Sequence, residues 1–377
     1  MKVRSLLFGM LCMLVLSVSL SSCSDDDDEG RDDGGSKVTL PQVRAYFLNE
    51  GTMGANNAGI AFYAPDGDAD FISDIFKKQN NALLGDTGQD MIEYEDHIYV
   101  SVHGSNYLAK LNAAGVEQTR VSFVDDADLT AGIRYIAAED GYIYASFYGG
   151  AVAKINASTL KVEKKLTGHG ANLESVAISN GMLYVSDPYR REGTNYVYQT
   201  ELQVYDLRTF SYKEAVTVYI NPNKLIEQDD KLFLISWGDY SEARESKVLQ
   251  MIDTKNGNKV TELGYATHVA ADGNTLYCVD SRENYEHFPE VSAENTFYTY
   301  NIKSGSRSES FLKDAPGELS TASVYMITVN EHSGDIYIGT TKHSNVNGDI
   351  YRFKKDGTFV EKFDCGGQNP NSAVFFN

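Results

Sequence analysis

Residues Gln89–Gly115, QDMIEYEDHIYVSVHGSNYLAKLNAAG, contain the pattern from which most of the chain is built. An apolar run, Met91–Tyr94, is followed by an acidic turn and by the strand-like segment Ile98–Ser101. After a loop with Gly and Asn, Leu108–Asn112 alternates apolar and polar residues, as a half-buried strand does. Such a short three-stranded unit cannot bury its own faces, so it must pack against copies of itself.

The second, aromatic-centred strand of this unit recurs five more times. The six copies are HIYVS (97–101), YIYAS (142–146), MLYVS (182–186), KLFLI (231–235), TLYCV (275–279) and DIYIG (335–339). An apolar inner strand precedes each copy, and another strand follows it. Four-stranded units that repeat about every 40–50 residues predict a β-propeller.

The two ends of the chain supply the parts of one more blade. Ala45–Leu48 and Ile60–Tyr63 have the pattern of second and third strands, and Ala373–Phe376 has that of an inner strand. Pairing the ends closes the ring and removes the open sheet edge of a linear array. We therefore predict an all-β fold, a seven-bladed β-propeller over residues 39–377. Six or eight blades are the alternatives, and 280–324 is the segment that leaves them open.

The N-terminus has the features of a lipoprotein signal. Lys2 and Arg4 precede the apolar run Leu6–Leu20, which is too short for a spanning helix with these flanks. The sequence LSSC ending at Cys23 resembles a bacterial lipobox, so we predict a signal peptide over 1–22 and lipidation of Cys23. An ordinary secretory peptide with an incidental Cys is the alternative.

The segment after Cys23 is acidic and rich in Gly and Ser, with SDDDDE at 24–29 and RDDGGS at 31–36. This composition predicts a flexible tether over residues 23–38. An acidic run directly after a lipobox resembles the surface-export signal of Bacteroidetes lipoproteins. The resemblance implies a protein that is surface-exposed and lipid-anchored on the outer membrane.

Charge and motifs exclude several function classes. The net charge of -20, from 33 basic and 53 acidic residues, argues against nucleic-acid binding, which needs clustered Lys and Arg. The sequence has no hydrolase nucleophile elbow, zinc-protease helix, phosphate-binding loop or dinucleotide-binding glycine pattern. We therefore expect no catalysis and no cofactor.

Two pairs of acidic residues, Asp66/Asp68 and Asp126/Asp128, have the spacing of Ca²⁺ ligands, with solvated acidic turns as the alternative.

Two cysteines, Cys278 and Cys365, remain after the predicted signal and lipidation sites. They lack the spacing of a zinc site. A disulfide is permitted outside the cytoplasm, but the mid-strand position of Cys278 favours a buried free thiol.

Aromatic, His and Asn residues collect in the connections that a propeller places on one face, where functional loops tend to lie. Tyr and Trp offer rigid contact area, and Asn side chains bind amide groups. The candidate ligand-binding residues are Asn56, Asn57, His103, Asn106, Tyr107, Tyr148, His169, Tyr189, Arg190, Trp237, Tyr240, Tyr285, His287, Phe288, His343 and Asn345. A metal site would require three of the His residues to converge, so none is predicted.

Three segments together resemble a known family: NEGTMGANN at 49–57, LGDTGQDM at 84–91 and the IYVS…SNYLAKLN blade. The chain is similar to the YncE-like, surface-layer-type propeller lipoproteins of Bacteroidetes, and most of all to the cobalamin-binding surface lipoproteins of the BtuG type. That resemblance implies capture of vitamin B12 and its delivery to a TonB-dependent outer-membrane receptor. It assigns no individual ligand residue.

Two other functions remain alternatives at this point. One is a glycan-binding or glycan-cleaving surface propeller of a polysaccharide uptake system. The other is a scaffold that binds only proteins.

Overall fold

The computed structural model describes residues 31–65, 71–240 and 247–377. The predicted signal peptide, the lipidation site Cys23, tether residues 23–30 and the pair Asp66/Asp68 lie outside them. Among the described residues, no helix is both long and apolar enough to cross a bilayer.

Strands dominate residues 32–377. In chain order they are β1 (Arg44–Asn49), β2 (Gly59–Tyr63), β3 (Gly88–Tyr94), β4 (His97–Val102), β5 (Tyr107–Leu111), β6 (Glu117–Ser122), β7 (Ile133–Glu139), β8 (Tyr142–Phe147), β9 (Ala151–Asn156), β10 (Val162–Leu166), β11 (Val176–Ser179), β12 (Met182–Glu192), β13 (Asn195–Asp206), β14 (Ser211–Thr217), β15 (Pro222–Gln228), β16 (Lys231–Ser236), β17 (Val248–Asp253), β18 (Lys259–Tyr265), β19 (His268–Asp272), β20 (Thr275–His287), β21 (Glu290–Asn301), β22 (Arg307–Glu309), β23 (Ser323–Val329), β24 (Ile336–Thr341), β25 (Asp349–Phe353), β26 (Phe359–Asp364) and β27 (Pro370–Phe376). A short helix, α1 (Ile75–Asn80), and a 3₁₀ turn, Gly317–Ser320, complete the described elements.

The strands form seven antiparallel sheets, which confirms the predicted seven-bladed propeller. Blade 1 has the order β2-β1-β27, and blades 2 to 7 take β3–β6, β7–β10, β11–β14, β15–β18, β19–β22 and β23–β26. The C-terminal β27 is the inner strand of blade 1 and pairs with β1, so the two ends of the chain close the ring as predicted. Segment 280–324 adds no blade, because it contains the hairpin that extends β20 and β21, the short outer strand β22, the 3₁₀ turn and the start of β23.

The repeated aromatic of the second strand fills the space between neighbouring blades. Tyr99 of blade 2 is buried against Ile133 and Ile143 of blade 3, and Tyr184 of blade 4 packs with Leu225 of blade 5. Some tyrosine hydroxyls also reach the next blade, as Tyr99 Oη does when it donates to the carbonyl of Ala157 at 2.9 Å. Burying these rings stabilises the stack without leaving their hydroxyls unpaired.

Several inner strands carry a β-bulge where they begin. The pairing register skips Gln89 in β3, Asn223 in β15, Tyr325 in β23 and Asn371 in β27, and β7 is irregular between Ile133 and Ile136. A bulge inserts one extra residue and redirects its side chain. The bulged residues of these strands line the cavity at the centre of the ring.

The serine that ends the repeated second-strand motif bonds the backbone of the neighbouring blade near the start of its inner strand. Ser101 Oγ donates to the carbonyl of Arg134 at 2.7 Å, and Ser186 Oγ donates to the carbonyl of Asn223 at 2.8 Å. Ser146 Oγ donates to the carbonyl of Glu174 in the same way. The final residue of HIYVS, YIYAS and MLYVS therefore holds the backbone of a cavity residue on the next blade.

Two of the face connections predicted to carry candidate residues, those with Tyr189 and with Tyr285, are strands. Residues 187–201 and 280–296 continue β12–β13 and β20–β21 as hairpins that extend beyond the ring, called here the blade 4 hairpin and the blade 6 hairpin. The first alternates β-favouring residues such as Tyr196 and Tyr198, and its turn is Gly193-Thr194, with Gly193 at a φ of 63°. Both connections are therefore hydrogen-bonded ladders and not irregular loops.

Residues 32–38, predicted to belong to the tether, are held against the ring. The carboxylate of Asp33 forms an ion pair with Arg44 at 2.5 Å, and the Arg44 side chain is buried. The amide of Lys37 donates to Gln79 Oε1 at 2.7 Å, and Val38 packs on the core of blades 1 and 2. Asp33 and the residues after it are therefore part of the folded ring.

Blade 7 and blade 1 are joined by a buried guanidinium. Arg352 contacts Asp335 Oδ2 through Nη2 at 2.7 Å and donates through Nη1 to Tyr63 Oη at 3.0 Å and to the Pro65 carbonyl at 2.7 Å. The side chains of Arg352 and Asp335 are only 3% and 5% exposed. The closing interface thus includes a charge pair that water cannot replace.

The cysteine prediction is confirmed for the described residues. Cys278 and Cys365 are both free and buried. Burial raises the pKa of the Cys278 thiol to about 12, so this thiol stays protonated and inert.

The serine bonds make a stability prediction with a matched control. Ser186→Ala removes a buried donor and leaves the Asn223 carbonyl without it, so we expect a loss of about 1–3 kcal/mol in unfolding free energy. Ser236 ends the second strand of blade 5, one residue beyond the position of Ser186, and its buried hydroxyl has no partner among the described residues. Ser236→Ala should therefore change stability by less than about 0.5 kcal/mol. Urea unfolding of both variants measures this, and equal losses would contradict the role given to Ser186.

Arg352→Met gives a second prediction. It leaves the buried carboxylate of Asp335 with the half-exposed Lys354, whose Nζ lies 3.4 Å away, as its remaining ion-pair partner, and breaking a buried pair costs about 3–5 kcal/mol. Arg190→Met is the control, because its ion pair with Glu192 is more than half exposed on both sides and should contribute at most about 1 kcal/mol. Thermal unfolding of the two variants measures the difference. A stable Arg352→Met protein would show that the pair is not needed to close the ring.

Candidate functional site

A cavity of about 360 Å³ lies at the centre of the ring, at the end where inner strands begin and second strands end. All seven blades contribute to its wall, so it lies on the ring axis. Its polar and aromatic lining includes Glu50, Gln89, Arg134, Tyr135, Glu174, Asn223, Lys224, Trp237, Lys247, His268, Glu283, Tyr285, Tyr325, His343 and Asn371. This volume is at the lower end of the roughly 300–1,000 Å³ of small-molecule sites.

One wall of the cavity is an ordered ion pair. Arg134 donates through Nε and Nη2 to Glu174 Oε2 at 2.9 and 2.7 Å and bonds Gln89 through Nη1. Tyr148 donates its hydroxyl to the other oxygen of Glu174, and its ring lies 4.5 Å from the Arg134 guanidinium. With side chains only 13% and 6% exposed, Arg134 and Glu174 form a rigid wall.

The opposite wall pairs an acid with a phenol. Tyr325 Oη donates to Glu50 Oε2 at 2.5 Å. Burial raises the pKa of Glu50, although the hydrogen bond from Tyr325 partly opposes this. Burial and the nearby Glu50 carboxylate hold the pKa of Tyr325 well above its usual value. Tyr325 is therefore a donor at all working pH values, and Glu50 takes up a proton more readily than an exposed Glu.

Lys224 brings a cation into the cavity. Its Nζ lies 5.0 Å from the centroid of the Tyr135 ring. Burial opposes the charge, but Tyr135, Asp90 and Glu174 raise the pKa of Lys224 above its usual value. The ammonium stays charged and is balanced by surrounding carboxylates, so the cavity has mixed polarity and no single dominant sign.

His268 presents a neutral imidazole. Thr267 Oγ1 lies 3.0 Å from the Val279 carbonyl, to which it donates, so it accepts from His268 Nδ1 at 2.9 Å. Burial, with the charges of Lys247 and Lys224, lowers the pKa of His268 to about 3. Nε2 therefore carries an unprotonated lone pair on the cavity side of β19.

The mouth of the cavity is aromatic. Trp237 follows β16, and Lys247 Nζ lies 4.4 Å from the centroid of its ring. Tyr285 and His343 meet edge to face at 5.5 Å between ring centroids. The blade 4 and blade 6 hairpins extend past this end of the ring, with Tyr196 and Phe288 mostly exposed. A bound molecule would meet aromatic side chains at the mouth and, below them, the polar end of the cavity that includes Gln89 and Asn223, called here the floor.

The structure brings only some of the predicted residues to the cavity. Trp237, Tyr285 and His343 line it, and Tyr148 reaches it through Glu174. The two hairpins carry four more of them, Tyr189, Arg190, His287 and Phe288. Tyr240 lies beside Tyr198 of the blade 4 hairpin. Exposed loops of blades 1 and 7 hold the remaining three, Asn56, Asn57 and Asn345.

Four predicted residues are positioned away from the open face. Asn106 is buried and holds the backbone of Leu129 and Ile133, and Tyr107 is a buried member of β5 whose hydroxyl bonds the Leu84 carbonyl. His103 bonds the Ile133 carbonyl, and burial lowers its pKa to about 4. His169 stacks on Tyr212 of the outer strand β14 at 3.9 Å. The blade 2 connection turns inward to support blade 3, which leaves His103, Asn106 and Tyr107 few free atoms.

The residues that sequence reasoning missed lie at the start of the inner strands. Arg134, Lys224, His268 and Tyr325 were assigned to apolar core strands, because the residues after them are apolar. The available signal was a polar or aromatic residue at the same position of nearly every repeat. A core strand gives no reason for that pattern, whereas a shared axial cavity does.

The described residues contain no cluster of side chains suited to bind a metal ion. Within residues 31–65, 71–240 and 247–377, no group of three His, Cys, Asp or Glu side chains is arranged to hold an ion. Asp126 and Asp128, considered for Ca²⁺, both pair with Lys165, at 2.8 and 2.6 Å.

Solved structures share this fold at low identity. A quinonprotein alcohol dehydrogenase-like protein from Bacteroides thetaiotaomicron VPI-5482 superposes with a TM-score of 0.60 at 15% identity, over 88% of this chain and 78% of that one. Kuenenia stuttgartiensis hydrazine synthase gives 0.53 at 13%, over 69% and 74%. The computationally designed Ika8 protein gives 0.50 at 9%, over 91% and 92%. At these identities the likeness shows the fold alone.

No curated protein matches the chain. One family does, and its match runs over nearly the whole propeller, from the first strand of blade 1 to its closing strand. Residues 44–376 match the model of the family described as a domain of unknown function, DUF5074, and the chain belongs to that family.

Proposed function

We propose that the protein captures a corrinoid, cobalamin or a close relative, at the axial cavity and passes it to a TonB-dependent outer-membrane receptor, without catalysis. The observation that carries the proposal is the cavity mouth, where Trp237 and Tyr285 surround a polar floor between two raised hairpins. A corrin is a broad, rigid disc with apolar faces and a rim of amides. Aromatic walls with a few placed polar groups suit such a ligand.

The size of the cavity sets how the ligand binds. A space of about 360 Å³ is too small to enclose a whole corrinoid, so the disc lies across the mouth. Asn223 and Gln89 in the floor are within the reach of rim amides, and the hairpins of blades 4 and 6 stand at its edges. Since the vitamin is near neutral, the balanced charges of the floor place no strong electrostatic penalty on it.

The anchoring part of the proposal rests on the N-terminal sequence. The lipobox-like LSSC and the acidic run after it support a lipid-anchored protein on the outer face of the outer membrane. Such an anchor holds the propeller near the receptor that takes up the captured molecule.

A second candidate is a glycan-binding or glycan-cleaving propeller. It is favoured by Glu50, whose pKa burial raises, in the same cavity as a second carboxyl, Glu174, because glycoside hydrolysis uses two carboxyls, one of which acts as an acid of raised pKa. The aromatic mouth also suits the faces of sugar rings. Release of reducing ends from polysaccharides, or retention on a glycan array, supports this candidate.

Co-elution tests the main proposal. The full chain in detergent is incubated with equimolar cyanocobalamin and passed over a gel-filtration column, with empty micelles as the control. We expect the red colour to move with the protein. A colourless protein peak would end the corrinoid proposal.

Trp237→Ala tests the site. Loss of a central aromatic contact should weaken cyanocobalamin binding by about 30-fold or more, about 2 kcal/mol, with little change in melting temperature. Tyr142→Ala is the control. The Tyr142 ring is also half-buried, and Lys154 Nζ lies 3.7 Å from its centroid. Tyr142 lies at the end of blade 3 that is opposite to the cavity. Titration calorimetry that finds equal affinity in the two variants would place the ligand elsewhere.

A further inference from the structure

The mouth of the cavity contains a histidine whose ring is held by a carboxylate. His343 Nε2 lies 3.0 Å from Glu283 Oε1, and the other oxygen, Oε2, accepts from Tyr285 Oη at 2.6 Å. The Tyr285 ring packs edge-on against the imidazole. His343 belongs to the loop after β24 and Glu283 to the blade 6 hairpin, so two blades fix one imidazole at the entrance.

These contacts define which ring nitrogen is free. A carboxylate that accepts from a tyrosine hydroxyl on one oxygen offers only an acceptor on the other, so His343 Nε2 carries the hydrogen. The lone pair that can bind a metal is then on Nδ1. Among the described residues, Nδ1 has no hydrogen-bond partner, while the residue lines the cavity.

This is the arrangement that proteins use to present a histidine to a metal. Metal-binding histidines usually donate their second ring N–H to a carboxylate, which fixes the ring and makes the lone pair more basic. A single protein ligand is enough when the metal arrives already held by a macrocycle. The absence of a three-residue metal cluster among the described residues is compatible with that case.

We propose that His343 is an axial ligand to the cobalt of the captured corrinoid, an inference that rests on the function proposed above. The lone pair of Nδ1 forms a bond to Co(III) as one water molecule leaves the same axial position. No electron is transferred, and the proton on Nε2 stays in its hydrogen bond to Glu283. The site then favours corrinoids with an exchangeable axial water over those in which cyanide occupies that position.

His268 is the other imidazole of the cavity, and it is less suited to this role. Its Nδ1–H is bonded to the hydroxyl of Thr267 and not to a carboxylate. The ammonium groups of Lys224 and Lys247 act on it, and they oppose the approach of a metal cation. His268 therefore serves as the matched control within the same cavity.

The experiment compares aquocobalamin with cyanocobalamin on the full chain in detergent. Replacement of water by imidazole shifts the near-ultraviolet and visible bands of aquocobalamin, whereas cyanocobalamin keeps its cyanide and its spectrum. We expect the shift only with aquocobalamin. His343→Ala should abolish it and weaken aquocobalamin binding by at least about tenfold. Glu283→Gln should weaken it by about tenfold, and His268→Ala should keep the shift.

The outcomes separate this inference from the function on which it rests. If neither corrinoid elutes with the wild-type protein, both fail. If both are retained but the spectrum of aquocobalamin does not change, the corrinoid function stands and axial ligation by His343 is wrong. A shift that survives His343→Ala and disappears in His268→Ala also contradicts the assignment. A loss of affinity in His343→Ala that is at least about tenfold larger for aquocobalamin than for cyanocobalamin supports it.

Discussion

The site depends on a hydrogen bond between blades, from the serine that ends one second-strand motif to a backbone carbonyl near the start of the next inner strand. Ser101, Ser146 and Ser186 make this bond to Arg134, Glu174 and Asn223. The residues that receive it line the cavity, and in three blades it fixes the position of a polar side chain. The repeat that builds the ring therefore also builds the floor of the site.

The bulges explain how an apolar core and a polar cavity share the same strands. Without a bulge, the strict alternation of a strand would place every second residue of the inner strand in the same inter-blade layer. The extra residue at the start allows Gln89, Asn223, Tyr325 and Asn371 to face the axis while the residues after them enter the core. The cavity is thus narrow and fixed by backbone, and variation between sites falls to the hairpins and loops above it.

The sequence predicted the seven-bladed ring, but it did not predict which residues line the floor of the cavity. Period-2 alternation and the recurring aromatic predicted the blades, and Ala373–Phe376 identified the closing strand, because these signals come from burial, which repeats. Trp237, Tyr285 and His343 were found because loop aromatics have no core to fill. Arg134 was not found, because its direction is set by the irregular start of β7 and by the contact from Ser101 of the neighbouring blade. The same limit applies to Asn106 and Tyr107, whose loop folds inward for reasons of tertiary packing.

The central claim is that the axial cavity and its aromatic mouth hold the ligand. The most direct measurement is a crystal structure of the protein grown with cobalamin. The account predicts the corrin across the cavity mouth, in contact with Trp237 and the blade 6 hairpin, with its rim amides bonded to floor residues such as Asn223. A corrin bound at the opposite end of the ring, or on the outer strands of the blades, with the cavity residues untouched, would contradict it.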